Sequence, residues 1–302
     1  MSRIELEYAL VDVFAERALE GNMLAIFTDA RGLTTEQMQA LARETNLAET
    51  TFILPEDAET ETREGVRVRI FTTQEELPFA GHPTLGTASW LHLNHPLLKG
   101  SESVTLKLNV GPITVRFSDA EPAGAQEAGV YGTMHQNDPV FGATYAAAEV
   151  AQVLGLPVEA IDAAYSAQTV STGMAFCIVP MASIEALGML EIPQAAADRW
   201  LRNNEAKFFY CLARVGENGF RARMQFYNGE DPATGSAAGC AAAWMLQNGW
   251  ILSGIAAVIE QGLEIRRPSR ITVQASRQLG KISKVFVGGR TIPVAAGRFF
   301  LP

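Results

Sequence analysis

The chain has 302 residues, of which 48% are hydrophobic and 19% charged, with a formal net charge of −9 and an isoelectric point of about 5.1. That composition suits a soluble globular protein, and the length suits two domains of about 150 residues, each able to bury a core. The acidic balance argues against a nucleic-acid partner, which needs a basic face, and gives no reason to expect binding to an anionic membrane.

Residues 3–14 and 23–27 read as strands joined through the turn signal Glu20-Gly21-Asn22. Thr34 opens a helix with a capping box closed by Gln37; its apolar face is Met38, Leu41 and Ala42, and it ends near Asn46. Residues 47–54 form a loop running into a strand, and the charged stretch 57–65 is expected to be a solvated loop. Strand 66–71 then leads into a glycine turn and a helix. Segments 104–108 and 113–117 alternate around Gly111-Pro112 and predict a hairpin. Residues 119–129, rich in Ala, Glu and Gly, are the expected linker between two lobes, 1–124 and 125–302, with the last strand free to pack back on the first lobe. In the second half, helices are expected at 147–154 and 193–203. Strands are expected at 176–179, 208–214 and 220–227, and, after a second glycine turn and helix, at 257–265 and 271–275.

The three cysteines, Cys177, Cys211 and Cys240, lie singly in apolar surroundings, which favours reduced thiols over disulfides or a zinc site. Charges among the first apolar residues give no signal-peptide pattern, and the small apolar run 237–246 is too short to span a bilayer. A cytoplasmic protein is expected.

The chain states one motif twice. Glu76, Pro78, Gly81, Ala88 and Trp90 recur as Glu230, Pro232, Gly235, Ala242 and Trp244 at a constant offset (235 − 81 = 154). Upstream, Arg67 and Arg69 recur as Arg221 and Arg223; downstream, Asn94 recurs as Asn248. A repeat of this length implies two lobes of one plan, each carrying strand, glycine turn and helix. With Pro83 as the first helical residue, His82 is expected to be an N-cap, and Ser236 holds the same register. Each helix start offers free N–H groups and a positive dipole end, so the turns Gly81-His82-Pro83 and Gly235-Ser236-Ala237 are candidate carboxylate sites. The competing reading is that the glycines serve tight turns and close packing alone. Helices 83–91 and 237–246 are apolar all round and therefore expected to be buried.

At these motifs the chain resembles the phenazine-biosynthesis PhzF-like isomerases, which share the diaminopimelate epimerase fold. The matching segments include Asp12-Val13-Phe14, Glu20-Gly21-Asn22, residues 46–52, residues 77–86, Ser171-Thr172-Gly173, residues 231–239, Gln261-Gly262 and Arg267-Pro268-Ser269. The resemblance implies an α/β (α+β) fold of two pseudo-symmetric lobes, each an incomplete β-barrel wrapped around a central helix, with the site in the cleft between lobes. It also implies a catalytic acid/base at Glu49, supported by His82, Asp231 and Ser236. The family's glycine before Arg-Pro-Ser is here Arg266.

Glu49, among small and apolar neighbours at the mouth of a strand, suits a general base whose pKa partial burial raises toward working pH. The expected chemistry is a shift of a proton and double bond in a small unsaturated amino or carboxylic acid. Asp231 suits a substrate ammonium, while His82 suits either a proton relay or a purely structural cap. His92, His95 and His135 lie outside the motifs. Neither glycine turn matches a nucleotide-binding pattern and no cluster has metal-ligand spacing, so no cofactor and no metal are expected. A small carboxylate-bearing substrate and a homodimer are the expected partners. A racemase or epimerase of the same fold and a non-catalytic metabolite-binding protein remain the alternatives.

Overall fold

In the computed structural model, which describes residues 4–117, 129–191, 194–227 and 229–301, the chain divides into two units. One is Met1–His135 with Gly288–Pro302; the other is Gln136–Val287. Apart from Gly129, the expected linker lies outside the described residues, as does the expected boundary at 124/125.

The first unit is a sheet wrapped around a helix. Its strands are β1 (Ile4–Val13), β2 (Asn22–Phe27), β3 (Glu49–Leu54), β4 (Val66–Thr72), the short β5 (Glu76–Leu77), β6 (Ser103–Leu108), β7 (Gly111–Phe117) and β8 (Val130–His135). Alternation sets their faces: Val66, Val68 and Ile70 of β4 and Val104, Leu106 and Leu108 of β6 are buried, while Arg67 and Arg69 turn outward. The sheet runs β1-β2-β3-β4-β6-β7-β8, then to the last strand of the chain. That strand pairs back on β1, Ile4 opposite Leu301 and Val13 opposite Thr291. The parallel pair β4–β6 is registered at Val66–Leu106 and Arg67–Lys107.

Helix α1 (Thr35–Thr45) has the expected capping box at Thr34 and Gln37, and ends at Asn46 in the left-handed conformation. It covers a cluster in which Phe27 stacks on Phe52 at 4.9 Å. The charged stretch expected to be a loop instead contains α2 (Ala58–Glu64), capped by the Asp57 side chain. It buries no residue, so no apolar periodicity marked it; acidic residues in its first turn and Arg63 in its last suit the helix dipole. Inside the sheet lies α3 (Gly81–Asn94), packed against β1, β2, β3, β6, β7 and β8 and buried from Gly81 through Ser89. It is apolar all round because it has no solvent face.

The second unit repeats the plan. Its strands are β9 (Val140–Tyr145), β10 (Ala167–Ser171), β11 (Ala175–Pro180), β12 (Phe208–Arg214), β13 (Gly219–Arg223), β14 (Gln225–Phe226), β15 (Gly229–Glu230), β16 (Ala257–Gln261), β17 (Ser269–Gln278) and β18 (Lys281–Leu301). The order across the sheet is β18-β17-β16-β13-β12-β11-β10-β9. The central helix, α7 (Gly235–Gln247), is buried from Gly235 through Leu246, and three other helices precede it in this unit. Those three, α4 (Ala147–Leu154), α5 (Ile184–Gly188) and α6 (Gln194–Arg202), cover a separate cluster with Leu154, Val179 and Phe209.

The strand expected at 220–227 breaks into β13 and β14, and the one expected at 257–265 ends at Gln261 because a turn begins there. Residues 281–287 of β18 belong to the second unit and its remainder to the first. Mixed polarity hid this strand: only Val285, Val287 and Ile292 among its aliphatic residues are fully inside. Among the described residues, no helix is long and apolar enough to cross a membrane. All three cysteines are free and buried.

Candidate active site

In the first unit, Glu49 opens β3 directly after the turn at Asn46, whose left-handed φ of 51° swings the chain out of α1. The strand is held parallel to β2, with Glu49 opposite Leu24, and antiparallel to β4, with Glu49 opposite Thr72. A hydroxyl pair, Thr51–Thr87 at 2.9 Å, ties β3 to α3. This brings the Glu49 carboxylate, 7% exposed, to the first turn of α3, where His82 is 3% exposed. Glu49 Oε2 lies 3.6 Å from His82 Nδ1.

Burial pushes the His82 pKa down to about 3, a backbone hydrogen bond at Met23 opposing the shift, so the ring is neutral near pH 7. Asn22 Nδ2 lies 3.3 Å from His82 Nδ1. In the tautomer that carries the ring proton on Nε2, Nδ1 accepts from that amide. That Nε2 is buried without a hydrogen-bond partner. Leaving such a group unpaired costs about 1–3 kcal/mol, which a ligand that accepts its hydrogen bond would recover.

In the second unit, Asp231 follows β15 and its backbone N–H donates to Met224 O at 2.9 Å. Its side chain is buried, and Thr234 Oγ1 donates to Asp231 Oδ2 at 2.5 Å. Gly235, Ser236 and Ala237 form the first turn of α7. Gln136 braces that turn, its Nε2 donating to Gly235 O at 3.0 Å while its Oε1 accepts from Thr172 Oγ1 at 2.6 Å. The close fit explains Gly239, since a Cβ there would collide with the Gln136 amide.

The capping expectation is corrected. The N-caps are Ala80 and Thr234, placing His82 and Ser236 at the second helical residue, and neither cap residue's side chain caps its helix. The reason lies in Pro83: without an N–H it is tolerated anywhere in the first turn, so it does not mark the first residue. No cap side chain therefore occupies the first-turn N–H groups of either helix, which an anion site at a helix start requires.

The repeated Arg and Glu also acquire a role. Arg69 forks onto Glu76 at 2.8 and 2.6 Å, and Arg223 onto Glu230 at 3.0 and 2.7 Å. Each two-pronged pair pins the strand to the segment entering the glycine turn. Glu49 and His82 thus meet in the first unit, with Gly81 and Pro83 flanking His82. Asp231 meets the turn of Gly235, Ser236 and Ala237 in the second. Sequence reasoning passed over Asn22 as a turn residue and gave no role to Gln136 or Thr234, because neutral polar residues leave no pattern until their burial is known.

A family profile described as PhzC-PhzF, phenazine biosynthesis-like protein, matches residues 11–297. The chain belongs to this family. An uncharacterized isomerase of Mesorhizobium japonicum is 36% identical over 97% of this chain and 98% of its own length. The trans-2,3-dihydro-3-hydroxyanthranilate isomerase of Pseudomonas fluorescens is 34% identical over 97% of this chain and 99% of its own. A solved structure of a predicted epimerase from Pseudomonas aeruginosa is 35% identical, with a TM-score of 0.82 over 97% of this chain and 99% of that one. Like its relatives in the PhzC-PhzF family, the protein is an isomerase.

Proposed function

We propose that this isomerase moves a proton and a double bond within a small unsaturated amino or carboxylic acid, with Glu49 as the general acid/base. The observation that carries the reading is the buried Glu49–His82 contact at 3.6 Å. Glu49 takes the proton from carbon and returns it to another carbon of the same substrate, so no net proton is gained or lost. The neutral His82 donates from Nε2 to an oxygen on which charge develops, without carrying a formal charge itself. Asp231 suits a substrate ammonium, and the turns Gly81-His82-Pro83 and Gly235-Ser236-Ala237 are each, within their own unit, candidate carboxylate sites. The assembly proposed with this reading is a cytoplasmic homodimer.

A two-thiol racemase has less support. Cys240 lies inside α7 and fully buried, 3.4 Å from Thr172 Oγ1 and 3.6 Å from Met174 O, and burial pushes its thiol up to about 11. Such a thiol is a poor nucleophile and a poor base at neutral pH.

The first compound to test is trans-2,3-dihydro-3-hydroxyanthranilate, after which the P. fluorescens relative is named. Deuterium uptake from D2O into this acid is followed by NMR for wild type and Glu49→Gln. Loss of a positioned acid/base predicts a drop of about 10²–10⁴-fold in exchange. Equal exchange in both proteins would overturn the assignment of Glu49.

A further inference from the structure

The Gln261-Gly262 pair sits away from the glycine turns in sequence, yet Gln261 is fully buried behind the loop that carries Asp231. Its amide uses its whole hydrogen-bonding capacity. Oε1 accepts from Thr234 N at 3.1 Å and from Tyr210 Oη at 3.1 Å; Nε2 donates to Asp231 O at 2.8 Å and to Thr234 Oγ1 at 2.9 Å. The amide cannot flip, because a backbone N–H and a phenol both present protons to Oε1. Burial raises the Tyr210 pKa well above its ordinary value, so the phenol stays a donor.

That polarity propagates. Thr234 Oγ1 receives a hydrogen from Gln261 and has one of its own to give. Its two acceptors are Met224 Sδ at 3.1 Å and Asp231 Oδ2 at 2.5 Å, and the carboxylate is by far the stronger. The chain of donors therefore runs Tyr210 and Gln261 to Thr234 to Asp231, each link polarising the next. Gly262 makes the approach possible: its φ is +76°, and a Cβ there would press on the carbonyls of Arg267 and Pro232.

We propose that Gln261 is a positioning residue that acts through the Thr234 hydroxyl to hold the Asp231 carboxylate in one rotamer with its Oδ2 committed as an acceptor. This rests on the reading of Asp231 as a substrate-binding group. The first unit supplies no copy of the device, since the residue in register with Asp231 is Leu77. The relay belongs to the half of the repeat that binds.

The experiment has two arms, both on the full-length protein. The first is proton NMR of the resting protein. A slowly exchanging, strongly downfield hydroxyl resonance is expected in wild type and Thr234→Ser, absent in Thr234→Val and shifted upfield in Gln261→Met. The second arm measures kcat and KM with trans-2,3-dihydro-3-hydroxyanthranilate. Gln261→Met is expected to lose about tenfold or more in kcat/KM through misplacement of the carboxylate. It is expected to lose nothing further in a Thr234→Val background, while Thr234→Ser stays near wild type.

Full additivity of Gln261→Met and Thr234→Val, or an unchanged hydroxyl resonance in Gln261→Met, would overturn the relay. A resonance that behaves as expected, with kinetics indifferent to Thr234→Val and Asp231→Asn, would leave the relay standing and refute the role of Asp231. Should Gln261→Met fail to fold, Gln261→Asn, which keeps an amide but shortens its reach, replaces it in both arms.

Discussion

Replacing Arg266 with glycine should stabilise the protein, because the residue that departs from the family pattern sits where the backbone penalises a side chain. Arg266 N donates to Leu263 O at 3.1 Å and Arg267 N to Gly262 O at 2.9 Å. These nested bonds are those of a Schellman turn, in which the residue at the Arg266 position is left-handed and usually glycine. Arg266 has φ = 59° and an exposed side chain. Holding a non-glycine residue there costs about 1–2 kcal/mol. Glycine would recover that but restores about 0.5–1 kcal/mol of backbone freedom to the unfolded chain. The difference is a net gain of up to about 1.5 kcal/mol, centred on about 0.75 kcal/mol, or about 1.5–3 °C in Tm for a domain of this size. Thermal and urea unfolding of wild type, Arg266→Gly and Arg266→Ala would measure it. Alanine keeps the Cβ and should gain none of the strain relief. If Arg266→Ala stabilises as much as Arg266→Gly, or if glycine destabilises, the backbone argument is wrong and the arginine side chain matters in its own right.

Other outcomes follow from the buried groups. His82 has a folded pKa of about 3, below the ordinary imidazole value, so the unfolded chain takes up its proton first. Stability should therefore fall as pH drops from about 6.5, approaching about 1.4 kcal/mol per pH unit, and His82→Gln should flatten that slope between pH 6.5 and 4.5. Identical slopes would argue against a buried neutral imidazole. Arg223→Ala strands the Glu230 carboxylate, whose side chain is 12% exposed, and should cost about 3 kcal/mol. Arg63→Ala, at a pair whose side chains are 60% and 37% exposed, should cost far less in the same denaturant titration. Cys240→Ala should keep turnover and lose about 1 kcal/mol of stability from the small cavity it leaves; loss of turnover with the fold intact would revive the racemase reading.

Much of the fold was legible in the sequence, and the parts that were not share a cause. Helices α3 and α7 announced themselves because a run of small apolar residues in a chain of average hydrophobicity has to be buried. The paired glycine turns followed from the repeat. Helix α2 was missed because it buries nothing, and β18 because a strand with mixed polarity along its length shows no clean alternation. Pro83 misled the capping argument, since its tolerance extends over the whole first turn. At the site, Glu49, His82 and Asp231 were reachable through family motifs. Gln136 was not, and Gln261, though inside the matching Gln261-Gly262 segment, carried no role there, because a glutamine becomes informative only once its burial shows that every amide hydrogen and lone pair needs a partner.

The differences between the two copies of the repeat carry chemical meaning at this level. Around α7 the turn is braced by two buried glutamines, Gln136 on Gly235 O and Gln261 on Asp231 O. Around α3 the corresponding turn holds an ionisable pair and a buried imidazole nitrogen without a partner. Full satisfaction suits a surface that must bind without rearranging, since ordering costs are met on folding rather than on association. An unpaired ring nitrogen beside a carboxylate suits the opposite task, because a hydrogen bond that it makes as charge develops on a substrate is then worth most. Equal bracing of both turns would leave the molecule a symmetric binder. On the function proposed above, the shortfall at His82 marks the turn for proton transfer, beside a Glu49 that the second copy of the scaffold lacks.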